Sequence, residues 1–147
     1  MTLFGYGTFC RGTWRQKIFG ADYAVEPATL TGWRRAATPT GYLSLVRAEG
    51  ACVRGVAIAL DDAGWKIADA WEDVPLYRRI TVEIATAGGL QRAGVYVYAD
   101  AGALRPAPID DDALALLGDA AVEAAIARFA PRMRAVRAAL DGDAMRR

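Results

Sequence analysis

Between Arg79 and Ala99 the chain spells out a β-hairpin. Ile80, Val82 and Ile84 alternate with Arg79, Thr81 and Glu83, the two-residue period of a strand with one buried face. Gly88-Gly89 then turns the chain into a second β run, Leu90 to Ala99. Just upstream, Asp61 and Asp62 offer an N-cap and first-turn charge for an amphipathic helix. Its apolar face is Trp65, Ala68 and Trp71 at three-residue steps, widened by Ile67. Pro75 holds Val74 extended, so this helix stops by Asp73. Hairpin-joined strands interrupted by helices predict a compact α+β barrel or sheet. They argue against a Rossmann domain, whose G-x-G-x-x-G run is missing.

The rest of the chain fits this pattern. Thr2 to Tyr6 reads as a first strand closed by Gly7, and Thr13 as the cap of a short helix from Trp14 to Phe19, ended by Gly20. Leu30–Ala37 and Tyr42–Val46 read as strands around the turn Thr38-Pro39-Thr40-Gly41. Cys52–Leu60 is a further β run, with Gly55 as a bulge or a close backbone approach. Asp100 to Pro108 reads as loop. Asp110-Asp111-Asp112 is favoured as a helix cap over a metal site. From Asp119 onwards Val122, Ile126, Phe129, Met133, Val136 and Leu140 form an apolar stripe at steps of four and three. The stripe suits docking on the core first and a homodimer seam second. Pro131 falls near the opposite face.

Bulk composition bounds the function. A chain of 147 residues, 54% hydrophobic and 24% charged, is expected to fold as one domain. The core is placed at about residues 2–99, with a helical extension at about 110–140. No apolar run approaches the ~20 residues of a membrane span, and Met1 to Gly7 is unlike a signal peptide, so a cytoplasmic location is expected. Net charge is only +1, which gives no global field for nucleic acid. Arg128, Arg132, Arg134, Arg137, Arg146 and Arg147 crowd the C-terminus, and are read as a solvated helix face with a frayed tail. There is no histidine, which removes Ser-His-Asp and Cys-His machinery and the usual zinc sites. Cys10 and Cys52 form no C-x-x-C motif; a nucleophilic Cys10 is weighed and set below an ordinary buried thiol.

Two segments carry the chemistry that is left. Glu72 stands where the amphipathic helix ends, between Trp71 and the Val74-Pro75 turn. The negative end of a helix dipole and apolar walls both disfavour an ionised carboxylate, which raises its pKa toward neutrality. In Tyr6-Gly7-Thr8-Phe9, a strand leaves through a glycine and a hydroxyl, a turn able to aim backbone N–H groups at one carboxylate. Tyr77 places a phenol within reach of the same cleft. Glu72 is therefore the candidate catalytic residue, and Tyr6, Gly7, Thr8, Phe9 and Tyr77 are the candidate substrate-binding residues.

Taken in order, these motifs resemble the γ-glutamylcyclotransferase-like superfamily, in particular its small AIG2-like, or γ-glutamylamine-cyclotransferase, branch. The resemblance runs through Tyr6-Gly7-Thr8-Phe9-Cys10-Arg11-Gly12, then Val53-Arg54-Gly55-Val56-Ala57-Ile58, then Trp71-Glu72 with Tyr77-Arg78-Arg79. It covers about residues 2–99. Phe9 stands where the family usually has leucine, and Trp71 where phenylalanine is commoner; both keep apolar bulk. The resemblance implies a small mixed β-barrel with flanking helices, here with a C-terminal helix added. It also implies an enzyme that cyclises a γ-glutamyl amide to 5-oxoproline and releases an amine, with Glu72 as general acid/base. No cofactor, metal or membrane is implied. A non-catalytic binding or regulatory module of the same fold is the alternative.

Overall fold

The computed structural model describes residues 1–39, 42–106 and 119–146. Among these residues six strands and three α-helices follow in the order β1 (Thr2–Gly5), α1 (Gly12–Phe19), β2 (Val25–Ala37), β3 (Leu43–Ala59), α2 (Asp62–Trp71), β4 (Tyr77–Thr86), β5 (Gly89–Tyr98), β6 (Arg105–Pro106) and α3 (Asp119–Met145). The strand order is β3-β1-β5-β4-β2-β6, and β2 also pairs with β3. That extra pairing closes five strands into a barrel and leaves β6 outside, on the end of β2. Only β1 and β5 run parallel; the other pairs are antiparallel, so the barrel is mixed, as expected.

The hairpin forms as its alternation requires. β4 and β5 pair in unbroken register from Tyr77↔Tyr98 to Thr86↔Gly89, around the turn Ala87-Gly88. Ile84 is fully buried, while Arg79, Thr81 and Glu83 face out. Gly55 is a close approach: a Cβ there would lie 2.2 Å from the Gly5 carbonyl oxygen, on the neighbouring strand. Asp61 caps α2, its Oδ1 accepting from the Gly64 N–H at 2.8 Å.

Several boundaries differ from the sequence reading. Helix α1 begins at Gly12, and its N-cap position, Arg11, makes no side-chain cap bond, so Thr13 is not the cap. β2 starts five residues earlier than Leu30, at Val25. Val25–Pro27 pair with β3 alone, a one-sided position where a proline without an N–H is tolerated. The two runs 42–46 and 52–60 are one strand, β3, carried through a register jump in which Thr31 pairs with Cys52 and Trp33 with Arg47. Gly32 (φ +87°) and Gly50 (φ +80°) supply the left-handed residues at that bend. Within the expected loop 100–108 lie a 3₁₀ turn at Ala101–Ala103 and the short β6. The Asp110–Asp112 cap, and Thr40 and Gly41 of the expected turn, lie outside the described residues.

Helix α3 docks on the core. Val122 and Met133 of its stripe are buried, and Ile126, Phe129, Val136 and Leu140 pack against the same cluster as the barrel interior. Its arginines are not a simply solvated face. Arg137 donates from Nη2 to the Ile18 carbonyl, and Arg132 from Nη1 to the Ala70 carbonyl at 3.1 Å. Those carbonyls lie in the last turns of α1 and α2, where acceptors lack a full set of intrahelical donors. No helix among the described residues is long and apolar enough to cross a membrane.

Candidate active site

Glu72 owes its position to the way α2 ends. It is the C-cap; Asp73 follows in the left-handed region (φ 54°), and the chain reverses. The Asp73 N–H donates to the Ala70 carbonyl at 3.3 Å and the Val74 N–H to the Asp69 carbonyl at 3.2 Å. This paired closure is the Schellman arrangement, with aspartate in the place that glycine usually fills. Trp71 faces the core and Glu72 turns into a cavity of about 220 Å³.

The cavity brings all six sequence candidates together. Tyr6, Gly7, Thr8 and Phe9 form one side, and Glu72 and Tyr77 line the same space. Burial pushes the Glu72 carboxyl up to about 8. The end of the α2 dipole acts in the same direction. Among the described residues no cation pairs with Glu72. Its negative charge, when present, raises the phenol pKa values of Tyr6, Tyr77 and Tyr96, for each of which burial is the larger cause.

The loop that faces Glu72 is held from below. Tyr6 donates its hydroxyl to the Tyr96 carbonyl, and the buried Arg35 donates from Nε to the Tyr6 carbonyl at 2.9 Å. Arg15 donates from Nη1 to the carbonyls of Phe9 and Cys10 at 2.8 and 2.9 Å. The Cys10 N–H closes a tight turn onto the Gly7 carbonyl at 2.9 Å. These bonds consume the loop's carbonyls. The N–H groups of Thr8 and Phe9, at the open end of the turn, have no acceptor among the described residues. Cys10 donates its thiol to the Gly5 carbonyl at 3.2 Å, and burial raises its pKa, the opposite of what a thiolate nucleophile needs.

Tyr77 commits its hydroxyl proton to the Leu43 carbonyl at 3.0 Å. The phenol is a wall held in place by the barrel. Four further contributors escaped the sequence reading: Tyr96, Tyr42, Arg128 and Phe129 all line the cavity. Tyr96 sits on β5, its hydroxyl bonded to Asp69 Oδ1 at 2.5 Å. Nothing local marks it, since an inward tyrosine on a buried strand reads as core. Phe129 belongs to the apolar stripe of α3, and its ring meets Trp71 edge-on at 5.6 Å. Adjacency of Trp71 to Glu72 was the available clue, but which helix covers Trp71 is a tertiary fact.

The fold and cavity define a small α+β barrel protein in which a desolvated carboxyl shares a cavity with a loop whose Thr8 and Phe9 N–H groups have no acceptor among the described residues. The chain belongs to the family described as gamma-glutamyl cyclotransferase, AIG2-like, which it matches over residues 3–115. Similar solved structures include an Arabidopsis thaliana protein that is 25% identical, with 66% of this chain and 61% of that one covered and a TM-score of 0.59. A gamma-glutamyl cyclotransferase is 18% identical, with 73% and 71% covered and a TM-score of 0.60. An AIG2-like protein of Mus musculus is 21% identical, with 67% and 76% covered and a TM-score of 0.56. A search of curated proteins finds no match. Family and fold support an enzyme of the cyclotransferase type.

Proposed function

We propose that the protein cyclises a γ-glutamyl amide to 5-oxoproline and releases the amine, with Glu72 moving the proton. One observation carries this reading: a carboxyl pushed up to about 8 by burial lines the same cavity as the Tyr6–Phe9 loop, with no cation ion-paired to it among the described residues. The substrate's own α-amine is the nucleophile, so the chain's lack of histidine and its protonated Cys10 are no obstacle. What the protein contributes is folding of the substrate until amine and γ-carbonyl meet. The free N–H groups of Thr8 and Phe9 suit the α-carboxylate and fix that geometry.

Burial brings Glu72, at about 8, much nearer to the range of an α-ammonium group than an ordinary carboxylate lies, which eases proton transfer between them. Glu72 in its ionised form takes a proton from the ammonium, and the freed amine attacks the γ-carbonyl carbon. On bonding, the attacking nitrogen still carries two protons. As the tetrahedral carbon collapses, the bond to the departing nitrogen breaks, Glu72 gives that nitrogen the first proton, and it then carries the second from the ring nitrogen to the released amine. The ring amide and the ammonium form of the amine account for every atom, and no oxidation state changes.

The test is incubation with a panel of γ-glutamyl compounds and measurement of 5-oxoproline. Glu72→Gln is expected to keep the fold and lose roughly 10²–10⁴-fold in turnover, the usual contribution of a positioned proton carrier. Failure of every compound to yield 5-oxoproline, or near-full activity in folded Glu72→Gln, would overturn the reading.

A further inference from the structure

The cavity is lined by three charged residue types besides its tyrosines: Glu72, Asp73 and Arg128. Asp73 is already balanced, its Oδ1 lying 3.2 Å from Arg132 Nη1. Arg128 is not. Its guanidinium lies 4.7 Å from the centre of the Phe129 ring and donates from Nη2 to the Tyr42 hydroxyl at 3.3 Å. Ring and phenol hold this exposed cation at the rim of the cavity, and among the described residues no carboxylate pairs with it. A planar cation at a cavity rim is suited to bind a carboxylate through two donors.

The position of Arg128 within the cavity is tied to Glu72. Phe129, over which it lies, packs on Trp71, the residue before Glu72. Arg128 is therefore attached to the α2–α3 side, whereas the free N–H groups belong to the Tyr6–Phe9 loop. A γ-glutamyl group brings one ammonium and one carboxylate and is neutral as a whole. A ligand that balances Arg128 as well must carry a second anionic group, and only the leaving half can supply it.

We propose that Arg128 is a specificity-determining residue that binds a carboxylate on the amine half of the substrate, so that the leaving group is an amino acid or peptide and not a simple amine. The inference rests on the cyclotransferase reading and adds a role for α3, which lies beyond the family match at residues 3–115. Specificity is then carried by an element distinct from the one that moves the proton.

The experiment compares γ-glutamyl-alanine with γ-glutamyl-alaninamide, which differ only in the terminal carboxylate. Both are tested as substrates, by 5-oxoproline release, and as ligands, by calorimetry, on wild type, Arg128→Gln and Arg128→Lys. Wild type is expected to favour the acid on the order of tenfold in kcat/KM, mainly through KM. Arg128→Gln should lose that preference by losing the acid alone, leaving the amide within about twofold, and Arg128→Lys should restore part of it. Equal loss on both compounds would place Arg128 on the glutamyl half and overturn the proposal, as would a wild type indifferent to the carboxylate. Failure of the cyclotransferase reading looks different: neither compound yields 5-oxoproline, yet calorimetry still shows an acid preference that Arg128→Gln removes. That outcome sustains the carboxylate site without the reaction. Absence of both binding and turnover overturns both.

Discussion

The barrel and the C-terminal helix meet at one cavity but are held by different forces. The barrel closes through backbone ladders, and its interior residues Leu3, Ile58, Ile84 and Val95 have no exposed surface at all. Helix α3 shares no ladder with it. It is fastened by side chains: an apolar stripe that is buried at Val122 and Met133 and partly buried elsewhere, the edge contact of Phe129 on Trp71, and arginines on the ends of α1 and α2. Ladders tolerate little change, because one residue of slip reverses every side chain. Side-chain docking tolerates substitution position by position. Glu72 thus sits at the end of a helix packed on the barrel, while the opposite wall is open to variation.

The sharpest way to break this contrast is to delete matched side chains on each side. Leu3→Ala in the barrel should cost about 2–5 kcal/mol. Phe129→Ala on α3 should cost about 1–2 kcal/mol, because the ring is only half-buried, while raising KM for whichever substrate is turned over. Chemical denaturation and steady-state kinetics on both variants check this. Equal stability losses, or an unchanged KM in Phe129→Ala, would mean that α3 is part of the barrel's cooperative core and not a separable wall.

The next effect concerns Glu72 and pH. Its folded pKa of about 8 lies above the unfolded value of ~4.3. The folded state therefore holds its proton more tightly, and the protein loses stability from this group as pH rises through the interval between the two values. Above the folded pKa the loss is complete and constant. Glu72→Gln should be more stable than wild type at pH 7, on the order of 1–3 kcal/mol, with the gap vanishing near pH 4. Melting curves from pH 4 to 9 decide it. A variant less stable at every pH would make Glu72 a structural partner and remove its role in the contrast. The smallest effect expected is that of Arg137→Gln. Loss of its bonds to the end of α1 should cost about 0.5–1 kcal/mol and leave kinetics untouched. A change in KM there would show that α3 shifts as a body.

What the sequence made legible was local in origin. The hairpin from Tyr77 to Tyr98 and the capped, proline-terminated α2 each follow from periods and punctuation a few residues long. Glu72 was legible for the same reason, as a residue at a helix end. Residues 47–51 fall between two separate β runs in the sequence because Glu49-Gly50 interrupts the apolar pattern, whereas β2 carries the strand through by shifting register at Gly32. Arg128 was hidden within a run of arginines that looked like solvent face. Its distinction from Arg132 and Arg137 is what each one meets, Tyr42 or a helix end, and that is decided by elements far apart in sequence. Arg35 is another such case: a buried arginine inside an alternating strand bears no local sign that it grips the Tyr6 carbonyl.

Closure of the barrel has a consequence for how this chain behaves in a crowded solution. Open sheets expose rows of unpaired N–H and C=O groups, which recruit further strands and seed aggregates. Here β2 and β3, the two longest strands, are zipped to each other and so offer no long free edge between them. The strand added outside, β6, is two residues long and one of those is Pro106, which has no N–H to give. Loosening α3 uncovers apolar side chains and a cavity mouth and not a sheet edge, so association that follows runs through side chains and not through added strands.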